Sequence, residues 1–472
     1  MSDFPDTIAT ALADGQKVNT EPMKQNVKDM TTGSPFRLIL GFVIPMMLGM
    51  LFQQFYNMVD AMVVGKYLGV NALAGVGSTG SINFMIVGFS SGLAAGFAIP
   101  VAQRFGAKDE EALRRYVANG IYGSLLFILP LSAVSALLCR KILEWMKTPD
   151  DIFEYAYGYI FVIFLGIPIL YAYNLLAYII RALGDSKSPV YFLMLSVTIN
   201  IALDLWFVLG LHTGVMGPAV ATLISQGISV ALCLWYIRKK FPILRLSKED
   251  CTLRWNYVGH LLSVGLPMGL QYSITAIGGV VLQSAVNSLG SSYVAAMSTG
   301  NKMNLFAVVP IDALGVTMAT YAGQNTGSGQ PRRIDKGVFS AMCLGAGYSV
   351  LAFICLYFFG KELALLFLDA SETEILDNVH LLLIIYSLMY ILLCVVNIFR
   401  FAIQGMGYST LAIVAGVLEM IARGSIGFGL VARFGFLAAC FASPFAWLLA
   451  DAFLIPAYFI CRRRLERQLA AG

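Results

Sequence analysis

Two carboxylates lie inside long apolar stretches of this sequence. Asp60 ends the mixed segment that begins at Gln53, and Asp204 follows Asn200 by one helical turn. An ionisable side chain within a membrane span costs about 3 kcal/mol on insertion scales, so it normally faces a cavity or a partner. A carboxylate in such a cavity can take up a proton on one side of the membrane and release it on the other. These two acids are therefore the first candidates for an ion-coupling site.

The apolar runs place the two acids at a similar depth. The first run ends near Gly65 and the fifth near Gly210, so Asp60 and Asp204 should lie about 8 to 9 Å below the outer membrane surface. Three more polar side chains can be placed at a comparable depth: Asn57, Asn200 and Thr222. A shared polar pocket in the first half explains this better than the alternative, two independent carboxylates near helix ends that water reaches.

The second half of the chain has a different set of charged residues inside its runs. Lys302 lies in the eighth run, and Glu419 and Arg423 lie in the eleventh, about 14 to 20 Å from the start of their runs. Glu419 and Arg423 are four residues apart, so they share one helix face and can pair. A structural ion pair is favoured here over a transport site. We expect Arg400 and Asp312 to lie at span boundaries.

Composition places these residues in a membrane protein. The 472-residue chain is 58% hydrophobic and 12% charged, with a mean hydropathy of +0.75, which excludes a soluble multidomain enzyme. A net charge of +5 is too small to indicate a nucleic-acid partner. The eight cysteines form no C-x-x-C pair, so neither a disulfide framework nor a metal site is indicated. We expect the lipid bilayer as partner, no obligatory protein partner, and no cofactor besides a coupling ion, H⁺ or Na⁺.

From residue 36 onward the chain contains twelve apolar runs long enough to cross a hydrocarbon core of about 30 Å. Their approximate limits are 36–65, 76–102, 116–138, 152–180, 190–210, 218–237, 257–289, 293–322, 337–360, 379–403, 411–432 and 436–460. The charged linker 238–256 separates an N-lobe at 36–237 from a C-lobe at 257–460. Residues 1–35 should form a disordered tail, and 461–472 a basic tail.

Lysine and arginine are concentrated in the loops on the same side as both termini. Cytoplasmic loops retain basic residues, so this distribution places both tails and the linker in the cytoplasm. The sequence therefore predicts a multi-pass protein of the cell (inner) membrane.

Matching motifs recur about 222 residues apart and in the same order. Pro45 and Pro267 lie in similar settings, and Gln103 and Gln324 each precede a glycine by three residues. Further matches are 68–69 with 289–290, Ala74 with Ala295, and 184–186 with 407–409. An even number of spans per half gives both halves the same orientation. The repeat therefore predicts an all-α fold of two parallel, pseudo-symmetric six-helix lobes. The position that matches Asp60 is apolar, which confines the acidic site to the N-lobe.

Together, these motifs resemble the multidrug and toxic compound extrusion (MATE) family, and within it the DinF-like branch. The resemblance covers residues 35 to about 464. It rests on the proline in the first span and on four motifs, which are Gln53-Gln54-Phe55-Tyr56-Asn57-Met58-Val59-Asp60, Ala72-Leu73-Ala74-Gly75-Val76-Gly77, Arg181-Ala182-Leu183-Gly184-Asp185-Ser186 and Gly323-Gln324-Asn325-x-Gly327.

The resemblance implies a twelve-helix antiporter whose lobes form a central cleft and alternate access by rocking. Members export small organic cations, including drugs, in exchange for protons or sodium ions. The NorM-like branch has an acid in span seven, where this chain has Thr275, so coupling is expected in the N-lobe.

The DinF-like branch lines its N-lobe pocket with residues that match Tyr56, Asp60, Asn174, Asn200, Asp204 and Thr222. We assign ion coupling to Asp60, Asp204 and Asn200, with a proton preferred over sodium. We assign substrate binding to Tyr56, Gln53, Asn57, Asn174 and Thr222, and a polar cluster in the C-lobe to Lys302, Glu419 and Arg423.

Two other functions remain as alternatives. A lipid-linked oligosaccharide flippase of the same superfamily needs several cations in its cleft to bind pyrophosphate, and Lys302 and Arg423 are the only candidates. A membrane-embedded enzyme needs a catalytic constellation. The string from Gly88 to Gly92 fits G-x-S-x-G, but it lies in an apolar helix and lacks the strand-turn-helix setting of that motif. We therefore expect no enzymatic activity.

Overall fold

The computed structural model describes residues 29–471, so most of the predicted disordered tail at 1–35 lies outside the described residues. Within this range the chain forms helices and no strand. The α-helices are α1 (Pro35–Leu68), α2 (Val70–Ser78), α3 (Gly80–Gly106), α4 (Glu110–Trp145), α5 (Asp150–Leu165), α6 (Ile167–Ala182), α7 (Ser188–Leu205), α8 (Met216–Lys240), α9 (Trp255–Asn287), α10 (Ser291–Gly327), α11 (Pro331–Ala364), α12 (Thr373–Leu388), α13 (Tyr390–Gly405), α14 (Ser409–Gly429) and α15 (Val431–Ala471).

Twelve membrane spans account for these helices except the short α2. Ten helices are long and apolar enough to cross a membrane individually, and α5 with α6 and α12 with α13 form two further spans. Each of these two pairs is bent by 50° at a one-residue break, at Gly166 and at Met389. The predicted all-α membrane fold with twelve spans is confirmed. The two bends occupy equivalent positions in the two halves, and the apolar runs alone gave no sign of them.

Positive backbone φ angles recur at equivalent turns of the two halves. Gly69 and Gly290 follow α1 and α9 with φ of 92° and 114°, and Gly184 and Gly407 follow α6 and α13 with φ of 90° and 93°. Glycine adopts this region without the steric cost that a Cβ atom adds. The motif matches at 68–69 with 289–290 and at 184–186 with 407–409 therefore mark the same turns, and the repeat in sequence is a repeat in structure.

Each half builds a hydrophobic core, but its first helix crosses into the other core at one face of the bundle. This face, where α1 begins and α15 ends, is called the terminal face below. Near it, Ile39, Phe42 and Met46 of α1 are buried in the core formed mainly by α10 to α15. Leu261, near the start of α9, is buried in the core of α3 to α8. The two lobes are therefore interlocked at the terminal face.

Close backbone contact joins α3 to α9 across the two halves. A Cβ atom at Gly96 would lie 2.4 Å from the Cα atom of Gly265, and one at Gly92 would lie 2.5 Å from the carbonyl oxygen of Met268. No side chain fits at such distances, so the small-residue face permits the crossing. Ser90 lies on the same helix, is buried, and donates to the carbonyl oxygen of Val87 at 2.7 Å. This setting is a helix contact and not a nucleophile turn.

The linker between the lobes is anchored on α4 through Asp250. Its carboxylate pairs with Arg114 at 3.1 Å and accepts hydrogen bonds from the backbone N–H and hydroxyl of Ser247 at 2.9 and 2.7 Å. Burial favours the neutral form of this carboxyl, but the hydrogen bonds from Ser247 and the nearby Arg114 outweigh it. The pKa of Asp250 is therefore lower than its usual value. The linker is docked most firmly when Asp250 is ionised.

We expect this docking to weaken at acidic pH. A carboxyl whose pKa is depressed in the folded protein stabilises it fully above the unfolded value, here 3.8, and loses that contribution as pH falls through the folded value. At pH 7, Asp250→Asn should reduce the free energy of unfolding in detergent by about 2 kcal/mol, and this difference should shrink below pH 3.8. Glu249→Gln, at an exposed neighbouring position, is the matched control. An effect of Asp250→Asn that is independent of pH would contradict the prediction.

Candidate functional site

Helix α1 presents Tyr56 and Asp60 to the interior of the first half. The two residues are four apart and therefore lie on one helix face, and both are buried. Phe55 and Met58, on other faces of the same turns, are exposed. Because α1 continues to Leu68, Asp60 lies about 12 Å from its end, deeper than the sequence-based depth. The helix continues past the predicted boundary at Gly65 because the next positive-φ glycine comes only after Leu68.

Helix α7 supplies the second pair of residues in the same way. Asn200 and Asp204 are four residues apart, and their exposed fractions are 1% and 0%. One residue after Asp204 the α-helix ends and a π-helical turn spans Trp206–Gly210. Such turns are rare and occur frequently at functional sites. The π-helical turn thus begins two residues after Asp204, whose side chain is fully buried.

A hydrogen bond joins α1 to α8 at this site. The hydroxyl groups of Tyr56 and Thr222 are 2.6 Å apart, and Thr222 also donates to the carbonyl oxygen of Pro218 at 3.0 Å. Since the single hydroxyl proton of Thr222 is directed to Pro218, the Tyr56 hydroxyl is the donor to Thr222. This bond fixes the turn of α1 that carries Asp60.

Five buried polar atoms at this site have no hydrogen-bond partner within residues 29–471. They are Oδ1 of Asp60, both carboxylate oxygens of Asp204, and the oxygen and nitrogen of the Asn200 side-chain amide. Buried polar groups are nearly always paired, so unpaired atoms collected in one place indicate a site that another species completes. No ion pair among the described residues involves Asp60 or Asp204, and the two carboxylates are close enough to interact electrostatically. The arrangement can hold a proton or a small cation.

The other predicted pocket residues are placed less centrally. Gln53 is half-buried and donates to the side-chain oxygen of Asn57 at 3.4 Å, and Asn57 is exposed. Asn174 of α6 is half-buried, and its amide donates to the carbonyl oxygen of Leu170 in its own helix at 3.0 Å. The structure thus brings Tyr56, Asp60, Asp204 and Thr222 together, with Asn200 one helical turn from Asp204. Gln53, Asn57 and Asn174 instead form hydrogen bonds within their own helices.

One residue of the site was not predicted from the sequence. Tyr159 of α5 is buried, and its hydroxyl interacts electrostatically with Asp60, Tyr56 and Asp204. Its run contains several tyrosines, including Tyr155 and Tyr157, and no spacing rule shows which of them faces the site. A hydroxyl group amid an apolar span was the only available signal.

The charged residues of the C-lobe form an arginine–glutamate–arginine cluster that differs from the predicted one. Glu419 of α14 pairs with Arg400 of α13 and also with Arg423, at 3.5 Å from the latter. All three side chains are buried. The expectation that Arg400 lies at a span boundary is wrong, because α13 continues to Gly405 and the guanidinium group reaches the neighbouring helix. Lys302 is exposed and joins none of the ion pairs of the described residues.

Two further carboxylates lie in the same half. Asp312 accepts a hydrogen bond from Asn397 at 2.8 Å in the middle of α10, so its predicted boundary position is also wrong. Asp451 of α15 is buried with both oxygens unpaired, and it interacts electrostatically with Arg400. Asp451 was not among the predicted site residues, although a carboxylate inside the twelfth apolar run was a sufficient signal.

Comparison with known proteins agrees with this architecture. The family model described as MatE matches residues 45–206 and again residues 267–428, well over half of the chain. The two matches begin at Pro45 and Pro267, the prolines that begin the sequence repeat. The chain belongs to the MATE family. The resemblance predicted from the motifs is thereby confirmed.

Curated relatives of this MATE transporter include proteins named for multidrug resistance. The probable multidrug resistance protein YoeA of Bacillus subtilis is 29% identical over 373 residues, 76% of this chain and 79% of the relative. The DNA damage-inducible protein F of Escherichia coli is 25% identical over 378 residues, 77% and 78% of the two chains. A FAD transporter of Shewanella oneidensis is 22% identical over 375 residues, 78% and 82%. The chain is thus a multi-pass membrane protein of a multidrug efflux family.

Solved structures of MATE proteins share the fold. A multidrug resistance MATE transporter of the MOP superfamily in an outward-facing conformation aligns with a TM-score of 0.87 at 21% identity, over 95% of this chain and 99% of that chain. A MOP superfamily transporter from Pyrococcus furiosus aligns with a TM-score of 0.86 at 21% identity, over the same shares. The likeness confirms twelve helices in two lobes around a central cleft.

The paired arginines of the C-lobe provide a stability test. Arg400→Met leaves Glu419 with one distant partner, and breaking a buried pair by removing one partner costs about 3 to 5 kcal/mol. We expect a loss of this size in unfolding experiments in detergent, and substantial recovery in the double variant Arg400→Met with Glu419→Gln. Lys302→Met is the control and should change the unfolding free energy by less than about 0.5 kcal/mol. A loss at Lys302 as large as that at Arg400 would contradict the assigned cluster.

Proposed function

We propose that this MATE protein is an ion-coupled antiporter that exports small organic cations, with Asp60 and Asp204 as the coupling carboxylates and Asn200 as their polar partner. A proton is preferred to sodium as the coupling ion. The supporting observation is the pair of buried carboxylates with unpaired oxygens in one lobe, neither of which forms an ion pair with a basic residue of the part of the chain that the structure describes. The multidrug names of the relatives support the substrate class.

Exchange follows from the cost of uncompensated charge in this pocket. Two ionised carboxylates that share a low-dielectric site repel each other when no proton or cation is bound. Binding of a proton or a cation therefore stabilises the site. A cationic substrate that reaches the same carboxylates competes with the coupling ion. The site therefore holds either the ion or the substrate, and binding of one releases the other, as antiport requires.

Aromatic surface near the carboxylates suits a cationic cargo. Phe55, next to Tyr56, is exposed, and its ring meets that of Phe306 from the other half with centroids 5.6 Å apart. Cations are attracted to the faces of aromatic rings, more strongly where water is excluded. A flat organic cation between the lobes can therefore contact both rings on the exposed side of α1, the helix that carries Asp60.

The pH difference is the driving force for exchange of one proton against one monovalent cation. Such an exchange moves no net charge, so the membrane potential, worth about 2.3 kcal/mol per charge per 100 mV, cancels. Each unit of pH difference supplies about 1.4 kcal/mol for export. We assign the terminal face to the cytoplasm, because basic residues cluster there at Arg238, Lys239 and Lys240 and again at 462–464. The protein then lies in the cell (inner) membrane, and the coupling ion moves inward.

The C-lobe cluster argues against the flippase alternative. Arg400 and Arg423 are both engaged by Glu419, so neither offers a free cation to a pyrophosphate group. Lys302 alone does not supply the several positive charges that such a substrate requires. An organic-cation antiporter needs only the carboxylates of the N-lobe.

Transport in liposomes tests the proposal. Efflux of a fluorescent organic cation should follow an imposed pH gradient, or a sodium gradient if sodium couples, in the wild type. Asp60→Asn and Asp204→Asn should each reduce gradient-driven transport to the level of protein-free liposomes, because an amide neither releases a proton nor carries a charge for the cargo. Asp451→Asn is the matched control, since it alters an equally buried, unpaired carboxylate in the other lobe.

The outcome shows which lobe contains the coupling site. Retained coupling in Asp451→Asn together with loss in Asp60→Asn supports the N-lobe site. Unimpaired gradient-driven transport by Asp60→Asn would reject the assignment, and loss only in Asp451→Asn would move the coupling site to the C-lobe.

A further inference from the structure

Two glutamines join the lobes at the terminal face in a pseudo-symmetric way. Gln103, near the end of α3, donates from its side-chain amide to the carbonyl oxygen of Gly405 at the end of α13, 2.9 Å away. Gln324, near the end of α10, donates to the carbonyl oxygen of Ala182 at the end of α6, 2.8 Å away. Each glutamine thus reaches from its own half to the bent span of the other half.

The glycines of the same motifs bring the helix ends into contact. A Cβ atom at Gly106 would lie 1.9 Å from the carbonyl oxygen of Gln324, and one at Gly327 would lie 1.7 Å from that of Gln103. The ends of α3 and α10 therefore touch backbone to backbone. Any opening of the terminal face between these helices must separate these contacts.

A short segment before α1 is bound to the same junction. We call residues 29–34 the strap. The backbone N–H of Met30 donates to the side-chain oxygen of Gln324 at 3.0 Å, so Gln324 holds the strap and the other lobe at once. The carbonyl oxygen of Met30 accepts hydrogen bonds from Asn325 and Arg333, each at 3.2 Å. The Met30 side chain is fully buried in the core of the second half.

The linker is held on the opposite lobe in a similar manner. Asn119 of α4, which is fully buried, donates to the carbonyl oxygen of Thr252 at 3.3 Å and accepts from the backbone N–H of Arg254 at 2.7 Å. Thr252 follows Met30 by the same 222 residues that separate Pro45 from Pro267. The segment that enters each half is therefore fastened by an asparagine of the other half.

We propose that the strap, together with Gln103 and Gln324, is the gate of the terminal face, and that the strap orients the Gln324 amide for the bond to Ala182 that must break each time this face opens. The proposal rests on the alternating access of the proposed function. In the closed gate, Gln324 uses both ends of its amide, with its nitrogen on the other lobe and its oxygen on the strap. The bond from Met30 fixes the amide so that its nitrogen faces Ala182. Release of the strap removes this restraint and weakens the bond between the lobes.

Pulsed electron-spin distance measurements test the gate without requiring transport. Spin labels are placed at Lys187 and Arg332, which are exposed and lie near the terminal face in different halves. The exposed cysteines Cys251, Cys343 and Cys355 are replaced by serine first. The wild type in nanodiscs should show mainly the short distance of the closed face.

Met30→Asp should release the strap, since a charge is not accommodated in the apolar core. We expect the ratio of long to short distances to rise by roughly tenfold, the effect of losing one or two buried hydrogen bonds. Gln324→Ala should raise this ratio at least as much, because it breaks the strap and lobe contacts together. Thr32→Asp, an exposed position of the same segment, is the control and should leave the distances unchanged.

A truncation that begins the chain at Ser34 guards against misfolding of the Met30 variant, and it should show the same shift to long distances. Unchanged distances in both Met30→Asp and the truncated chain, with folded protein by size-exclusion chromatography, would overturn the gate. Failure of Asp60→Asn to affect export would instead reject the proposed coupling site and leave the distance result intact.

Discussion

A charge without a partner is costly in a low-dielectric interior, and the two lobes of this protein differ in whether their buried carboxylates have basic partners. In the C-lobe, Glu419 is placed between Arg400 and Arg423, and the unpaired Asp451 interacts electrostatically with Arg400, so buried charges of both signs lie together. In the N-lobe, Asp60 and Asp204 interact with each other and have no basic partner in the ion pairs of the described chain. Such a pocket is stable only when a proton or cation completes it. The asymmetry suits a structural role in one lobe and exchange in the other.

Contacts at the terminal face hold the two lobes together, although each lobe has its own core. The end of α1 at the terminal face is buried in the C-lobe core, and that of α9 reaches the N-lobe core. Met30 and Thr252, in the segments leading into these helices, are both fastened across the halves. Because α1 also carries Asp60, one helix contributes to the carboxylate site and to the junction of the lobes. The linker therefore divides the chain into two lobes in sequence. In the packed structure, however, the first helix of each lobe extends into the core of the other.

Spacing along single helices was sufficient to find much of the candidate site. Tyr56 with Asp60 and Asn200 with Asp204 are four residues apart, so each pair had to share a helix face once the spans were known. The partners that come from other helices were harder to predict. Thr222 was included by depth and by resemblance, whereas Tyr159 was missed. Depth along a span can be counted from the sequence, but rotation of a helix about its axis depends on how its neighbours pack.

The sequence by itself determined the membrane class, the twelve spans and the internal repeat, because hydrocarbon thickness and apolar composition act on each segment separately. It also determined the family through motifs that lie within single segments. Only the tertiary structure decided that Arg400 pairs with Glu419, that Lys302 stands apart, and that Met30 is buried against Gln324. These contacts join segments distant in the chain, and their formation depends on helix bends and crossings that no single segment specifies.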